Sequence, residues 1–401
     1  GAGWFGRGLV TELKTWPGLE PRILFDRTIE KAVNVYLAAG IPKEKIVVAD
    51  SVLEMHQAVK KRKYVVSNRL ELMNDLSSVI DVFFEATGNI LAGAESALTV
   101  FKQKIHFVTV NAEMDATIGF ALNKIAQEHG VIYSNSDGDQ PGVLARMITE
   151  VKLMGFEIAA AGNGKGFLNY HATPEDIMPF VPKGGSPRKI TSFTDGSKQS
   201  LEMVVLANGM GLTVDKRGMN GVKTTKADLV ADVTKQLKKD GVVEYVMGRD
   251  VNLGMTVFVI GKRQADHASR DLEYLKMGKG PYYLFFRDYH LCYFESPKSI
   301  AEVALFNKPT IFPQSLQADV LTVAKKDLKA GEKLDGIGGY TVYGLIDCYE
   351  TVKKEKLLPL GLAEYAVMKC NVSKDNPITY DMVDFPEDNL VLQLRKSQDC
   401  A

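Results

Sequence analysis

The sequence predicts an α/β protein in three parts. These are an N-terminal Rossmann-type doubly wound sheet, an α+β middle domain for catalysis and dimerisation, and a small C-terminal β-rich domain. Three observations carry this. The chain opens on a glycine-rich turn, strands and helices alternate through roughly the first third, and a proline-bearing linker at 307–314 precedes a run of short strand-like segments. The expected boundaries are 1–136, 137–308 and 314–401.

The opening, Gly1-Ala2-Gly3-Trp4-Phe5-Gly6-Arg7-Gly8, has the form G-x-G-x-x-G. In a dinucleotide fold the first glycine makes a tight strand-to-helix turn, the second admits a pyrophosphate, and the third lets helix and sheet pack closely. The helix that follows aims its free amides at the phosphates. Gly1, Gly3, Trp4, Phe5 and Gly6 are therefore candidate cofactor contacts. A strand belongs before this motif, so the native N-terminus and first strand are expected to precede Gly1. Residues 22–25 read as a short strand, and Asp26 stands at its end, 20 residues after Gly6. An acid at that place is suited to the adenosine ribose, and an adjacent arginine to a 2′-phosphate. Asp26 followed by Arg27 leaves NAD and NADP both open, and Asp26 also suits the cap of a helix over 28–39.

Further along, 46–49, 79–86, 105–110 and 131–134 read as strands, and 51–62, 91–102 and 117–129 as helices. That alternation is the signature of βαβ units around a parallel sheet. Thr87 and Gly88 follow one of these strands, and Asn111 and Glu113 another, at the carboxyl edge where such sheets bind ligands. They are candidate contacts to the nicotinamide side of a cofactor, or turn and cap residues.

The middle part opens on a polar turn, 134–142, holding Asp137 and Asp139. Val143, Met147, Val151 and Met154 then recur at helical spacing. The two acids suit a substrate hydroxyl, a metal or an ammonium group, or a helix N-terminus. Residues 157–161 read as a strand leading into Gly162-Asn163-Gly164-Lys165-Gly166. There Lys165 can meet a phosphate or carboxylate, or act as general acid toward a carbonyl. His171 is a nearby titratable group that reads more simply as a satisfied histidine. Strands are expected at 242–246, 255–261 and 282–291, the last rich in aromatics and suited to an interface. In the final part, 320–324, 340–344, 365–370, 376–379 and 390–394 read as the short strands and turns of a compact barrel.

The chain has 401 residues, 45% of them hydrophobic, and 49 basic residues balance 49 acidic ones. A neutral balance argues against a dedicated nucleic-acid binder. No apolar run reaches the length of a membrane span. Cys292, Cys348, Cys370 and Cys400 form no CxxC pair, which points to reduced thiols in a cytoplasmic protein.

On segments 1–8, 85–88, 137–142, 162–166, 274–290 and 323–344 the sequence resembles homoserine dehydrogenase-like oxidoreductases. It is most similar to the group with a C-terminal SAF domain that includes the deoxyxylulose-5-phosphate reductoisomerase-like (DRL) enzymes. The resemblance implies an NAD(P)-dependent oxidoreductase, preferring NADPH, that forms a homodimer through its middle domain and acts on a small, phosphorylated substrate. For the DRL enzymes it implies conversion of 1-deoxy-D-xylulose 5-phosphate to 2-C-methyl-D-erythritol 4-phosphate, an isoprenoid precursor. A divalent cation, Mg2+ or Mn2+, would then be held by Glu113, Asp137 and Asp139. Asp137, Asp139 and Lys165 would meet the substrate. The lysine-paired, aspartate-rich segment of true homoserine dehydrogenases is not recognisable. The alternatives are homoserine dehydrogenase-type reduction of aspartate semialdehyde, or a sensor that binds dinucleotide without turnover.

Overall fold

A computed structural model describes residues 1–73, 76–182, 185–250, 252–264 and 268–400. In the N-terminal part six short strands form two three-stranded parallel sheets. In one, Tyr64–Ser67 lies between Ile23–Phe25 and Ile46–Val48; in the other, His106–Thr109 lies between Val82–Glu85 and Tyr133–Asn135. Tyr64–Ser67 was not anticipated from sequence. It is buried at all four positions, so it shows no alternation to read.

Side-chain caps gather the helix N-termini at the carboxyl edge of these strands. Ser51, Asn89 and Asn111 accept from the amides of Glu54, Ala92 and Met114, so helices Val52–Lys60, Ile90–Lys102 and Ala112–Glu128 all start there. The last begins five residues before the expected 117, because the Asn111 cap brings Glu113 and Asp115 into the first turn.

The middle part is a six-stranded mixed sheet. Tyr282–Arg287, Val257–Lys262, Glu157–Lys165, Val242–Gly248 and Thr213–Val214 follow in that spatial order, with Val222–Thr224 also on Val242–Gly248. Glu157–Lys165 runs parallel to Val242–Gly248 and antiparallel to Val257–Lys262. It continues through the glycine run that reads as a loop. A Cβ on Gly162 would stand 1.6 Å from the Glu244 carbonyl oxygen, and one on Gly164 2.0 Å from that of Leu253. Those glycines are a consequence of close backbone approach in the sheet.

Helix Ser197–Met210 is buried from Ser197 to Gly209 and touches both the Ala112–Glu128 helix and the C-terminal strands. In the C-terminal part Ala318–Ala324 pairs antiparallel with Val342–Cys348, and Val367–Met368 with Val383–Asp384. Segment 390–394, expected as a strand, is the start of helix Leu390–Asp399, capped by Asn389. Its buried Val391, Leu392, Leu394, Arg395 and Gln398 fall at helical spacing, and Arg395 pairs with Asp319 at 2.5 Å.

One hydrophobic cluster runs through all three parts, from Ala49 to Leu394. No helix among the described residues is long and apolar enough to cross a membrane. The C-terminal part is also fastened by a buried charge. The Lys325 ammonium donates to Asp195 at 2.8 Å and to the carbonyls of Ala172 and Gly339 at 2.9 and 2.7 Å. Breaking a buried pair leaves a charge without compensation. Lys325→Met is expected to lower stability by about 3–5 kcal/mol in urea unfolding. The double variant Lys325→Met, Asp195→Asn should recover much of that, and a single variant as stable as wild type would refute the role.

Candidate functional site

The glycine turn is held by the strand beside it. The Ala2 amide donates to Asp26 Oδ2 at 2.6 Å and the Thr28 amide to Oδ1 at 2.9 Å. Each carboxylate oxygen keeps a further lone pair. Gly3 is the N-cap of helix Trp4–Leu13 and offers no side chain, so the first-turn amides stay open. A Cβ on Gly6 would lie 1.9 Å from the Gly1 carbonyl oxygen, whereas one on Gly3 would meet nothing within 4 Å. The turn therefore needs glycine at position 6, and it leaves space at position 3 where a pyrophosphate would lie. Arg27 is exposed and has no ion pair among the described residues. Phe5 stacks on Phe84 at 5.9 Å, and Trp4 meets Tyr293 edge-on at 5.3 Å, so both rings anchor the helix. These residues fit a dinucleotide.

A cleft of about 360 Å³ opens beside this turn. One wall is Thr87, Gly88 and Asn89, and buried Glu113 lies at its base. The opposite wall is Ser186, Arg188, Lys189 and Ser192 at the start of helix Pro187–Thr194, and Gly336 and Ile337 come from the C-terminal part. Buried Glu85 holds the first wall by accepting from the Thr87 amide at 2.6 Å and the Thr109 hydroxyl at 2.9 Å. Lys189 Nζ reaches across to within 3.4 Å of where a Gly88 Cβ would stand. Sequence reasoning brought Thr87, Gly88 and Glu113 to this cleft. It missed Arg188 and Lys189, whose only signal was a Pro-Arg-Lys sequence opening a short helix.

Behind the cleft, charges alternate inward. Glu113 pairs with Lys198 at 3.1 Å, and Lys198 with Glu202 at 3.9 Å. Burial pushes the Glu113 carboxyl up, but Lys198 and Lys189 outweigh it and hold it below its usual range. Burial opposes the Lys198 ammonium, and Glu113 with Glu202 keeps it charged and raises it. Glu202 goes the other way. Burial and the Asp139 charge push it up to about 8. Burial lowers Lys165, against the pull of Glu202 and Asp195, and among the described residues its ammonium donates only to the Phe193 carbonyl at 3.3 Å. Lys165 and Glu202 thus both move toward neutrality, a pattern that marks acid–base sites. Lys198 and Glu202 were also missed, because a Lys–Glu pair at i,i+4 ordinarily marks a solvated helix face.

Asp139 is the N-cap of helix Gln140–Leu153, and among the described residues its side chain makes no hydrogen bond or ion pair. Asp137 lies in a different network. It pairs closely with Arg146, which also binds Glu302 at 2.6 Å. Asn111 caps its helix and donates to the Asn89 carbonyl at 3.0 Å, which ties two walls together. His171 binds Asp375 at 2.6 Å and does not line the cleft. Glu113, Asp137 and Asp139 do not converge on a metal. Two of them are matched by Lys198 and Arg146, and among the described residues no group of three or more His, Cys, Asp or Glu could hold an ion. The expected cation site does not fit these residues.

Residues 138–296 match the family model described as the catalytic domain of oxidoreductase DRL. No curated protein matches the chain. Among solved structures, similarity extends to an oxidoreductase from Bacillus cereus, with 14% identity, 76% of this chain and 87% of that one covered, and a TM-score of 0.38. A structure described as a probable dehydrogenase from Thermotoga maritima has 13% identity, 77% and 88% coverage and a TM-score of 0.44. A DOX-P reductoisomerase bound to NADPH, fosmidomycin and magnesium has 14% identity, 51% and 55% coverage and a TM-score of 0.34. At these scores the structural likenesses carry no argument about activity. Residues 138–296 are thus similar to an oxidoreductase catalytic domain, and the glycine turn that precedes them has the form a dinucleotide requires.

Arg27 offers a test of the choice between NAD and NADP. A charge-assisted contact to a 2′-phosphate contributes about 1.5–3 kcal/mol, roughly 10- to 100-fold in affinity. Arg27→Ala should weaken NADPH binding by that factor in a fluorescence titration and leave NADH binding within a few-fold. Equal losses for both cofactors would remove Arg27 as the selector.

Proposed function

We propose that the chain is an NADPH-dependent reductase of a phosphorylated hydroxy-carbonyl compound, with 1-deoxy-D-xylulose 5-phosphate as first candidate and 2-C-methyl-D-erythritol 4-phosphate as product. The observation that carries this is the cleft itself. The edge of the dinucleotide-type unit at Thr87 and Gly88 faces a cationic helix start at Ser186, Arg188 and Lys189. An anionic group seated on the Arg188 and Lys189 cations would bring the rest of a small substrate against the edge where a nicotinamide is expected. The match to the DRL catalytic domain supports the same substrate class.

Reaching that branched product requires rearrangement before reduction: the C3–C4 bond of the sugar breaks and a C2–C4 bond forms, leaving C3 as an aldehyde. When bound, the nicotinamide would supply a hydride to that aldehyde carbon, and its oxygen then needs a proton. Lys165, made more acidic by burial, delivers it, and Glu202, protonated at neutral pH, restores the lysine. Lys198 stays charged between Glu113 and Glu202 and keeps Glu113 ionised at the base of the cleft. The same reading includes an SAF-type identity for 314–401, a cytoplasmic location, and a homodimer through the middle sheet, where Tyr282, Leu284 and Phe286 of strand Tyr282–Arg287 are only partly buried.

The test follows NADPH absorbance with 1-deoxy-D-xylulose 5-phosphate. Turnover is expected, and kcat should fall as pH rises through about 8, where Glu202 loses its proton. Glu202→Gln should lower kcat by roughly 100-fold and abolish that pH break. Tight NADPH binding without turnover would discard this substrate, and a pH break unchanged in Glu202→Gln would discard Glu202 as the acid.

A further inference from the structure

The cleft offers donors and cations at one end and acceptors at the other. Ser186 caps helix Pro187–Thr194, Lys189 and Ser192 follow at intervals of three, and all of them line the cleft as one row. At the first end the Lys189 ammonium stands beside Gly88, and among the described residues it has no ion pair. Ser186 and Asn89 spend their side-chain oxygens on the amides of Lys189 at 3.4 Å and Ala92 at 2.9 Å, and so keep their hydrogens for a ligand. Arg188 commits Nη2 to the Asp335 and Ile337 carbonyls, and among the described residues its other N–H groups are uncommitted.

The second end lies against the C-terminal part. Ser192 gives its hydroxyl hydrogen to the Lys189 carbonyl at 2.7 Å, which leaves it lone pairs only. Glu364 is the acid that the C-terminal part brings to the cleft. Both stand against one turn. A Cβ on Gly338 would lie 3.2 Å from Ser192 Cβ, and one on Gly336 2.9 Å from Glu364 Cβ. Glu364 belongs to the short helix Leu360–Tyr365, which is seated on the helix that carries Glu113, since a Cβ on Gly361 would lie 2.0 Å from Thr117 Oγ1. Its place is thus fixed from two sides. Burial raises the Tyr365 phenol and the Glu364 charge beside it adds to that, so Tyr365 supplies one donor. A carboxylate has about four acceptor positions, and the rest stay open. Among the described residues Glu364 has no ion pair, although Arg188 and Lys189 line the same cleft. Glu113 is already matched by Lys198. The charges left over are two cations and one carboxylate. A ligand that completes them carries net negative charge at the Lys189 end and hydrogen-bond donors at the Glu364 end. A phosphorylated polyol has both, whereas a zwitterionic amino acid leaves one cation over.

We infer that Glu364 and Ser192 accept hydroxyl groups of a substrate whose phosphate sits at Lys189, so that the C-terminal part selects polyhydroxylated phosphates over plain alkyl phosphates. This rests on the reductase reading above and specifies the substrate class for the same site.

Calorimetry on the full chain loaded with NADP+ decides it, with 1-deoxy-D-xylulose 5-phosphate, D-xylulose 5-phosphate and n-propyl phosphate as probes. Glu364→Ala should weaken both sugar phosphates about 10- to 100-fold and hold propyl phosphate within a few-fold, with melting temperature retained. Lys189→Ala should weaken all three. Glu364→Gln keeps the shape and one acceptor oxygen but gives up the charge, so the sugar phosphates should still weaken several-fold and propyl phosphate should not, even where the alanine variant fails to fold. Equal changes for sugar phosphates and propyl phosphate, or no change in either, would overturn the inference. Tighter binding of L-homoserine than of either sugar phosphate, lost in Glu364→Gln, would put an ammonium on Glu364 and overturn it as well. NADPH oxidation with 1-deoxy-D-xylulose 5-phosphate at a KM unchanged in Glu364→Ala would overturn this inference and keep the reductase. Sugar-phosphate binding lost in Glu364→Ala, without any NADPH oxidation by wild type, would do the reverse. Failure of wild type to bind either sugar phosphate would overturn both.

Discussion

The Lys198 ammonium is the charge around which the rest of the interior is arranged. It sits in a helix buried along nearly its whole length, between Glu113 of the N-terminal part and Glu202 one turn on. An isolated charge at that depth is prohibitive, and a paired one is tolerated only where geometry and neighbours compensate it. One ammonium cannot satisfy two carboxylates equally. Glu113 has the shorter contact and a second cation nearby in Lys189, so it stays ionised. Glu202 has the longer contact and Asp139 close by, so it is the carboxyl that keeps its proton. The asymmetry between two otherwise similar acids comes from which of them the lysine prefers.

That asymmetry has consequences for metal chemistry. The acids that sequence reasoning grouped as cation ligands were chosen because they fall at strand ends and a helix start, where ligands gather. Position along the chain does not reveal which carboxylates already have cationic partners. Arg146, nine residues beyond Asp137, claims Asp137, and Lys198 claims Glu113. Among the described residues the Asp139 carboxylate has no such partner, and its charge acts on Glu202.

Much of the fold was legible because local signals there agree with the final packing. The glycine turn, Asp26 at the end of its strand, and Thr87 at the carboxyl edge all stand where a dinucleotide-type unit needs them. The failures share a cause. Residues 162–166 look like a loop because glycines usually mark turns, but here they let neighbouring backbones close in. Segment 390–394 looks like a strand because its first residues are apolar in succession, and only the cap at Asn389 and the buried Arg395 show a helix. The central helix Ser197–Met210 has no polar face to give it an amphipathic period, so its Lys198, Gln199 and Glu202 carry no sequence signature of burial. The groups that give the site its chemistry were hidden for the same reason that they have it: they are polar residues placed where sequence pattern expects apolar ones.

The three parts of the chain are also not equivalent as walls of the cleft. Thr87–Asn89 and Glu113 come from the first, and helix Pro187–Thr194 from the second, but Gly336 and Ile337 come from the third. That third wall rests directly on the cationic helix. Arg188 donates to the carbonyls of Asp335 and Ile337, and a Cβ on Gly338 would stand 2.0 Å from the Arg188 carbonyl oxygen. Lys325 then ties the same C-terminal part to Asp195, just past that helix and two residues before the one carrying Lys198. Arg188 is therefore aimed by the C-terminal backbone it binds. The small β-rich part closes the cleft and orients one of its cations, so the site is complete only when all three parts are folded together.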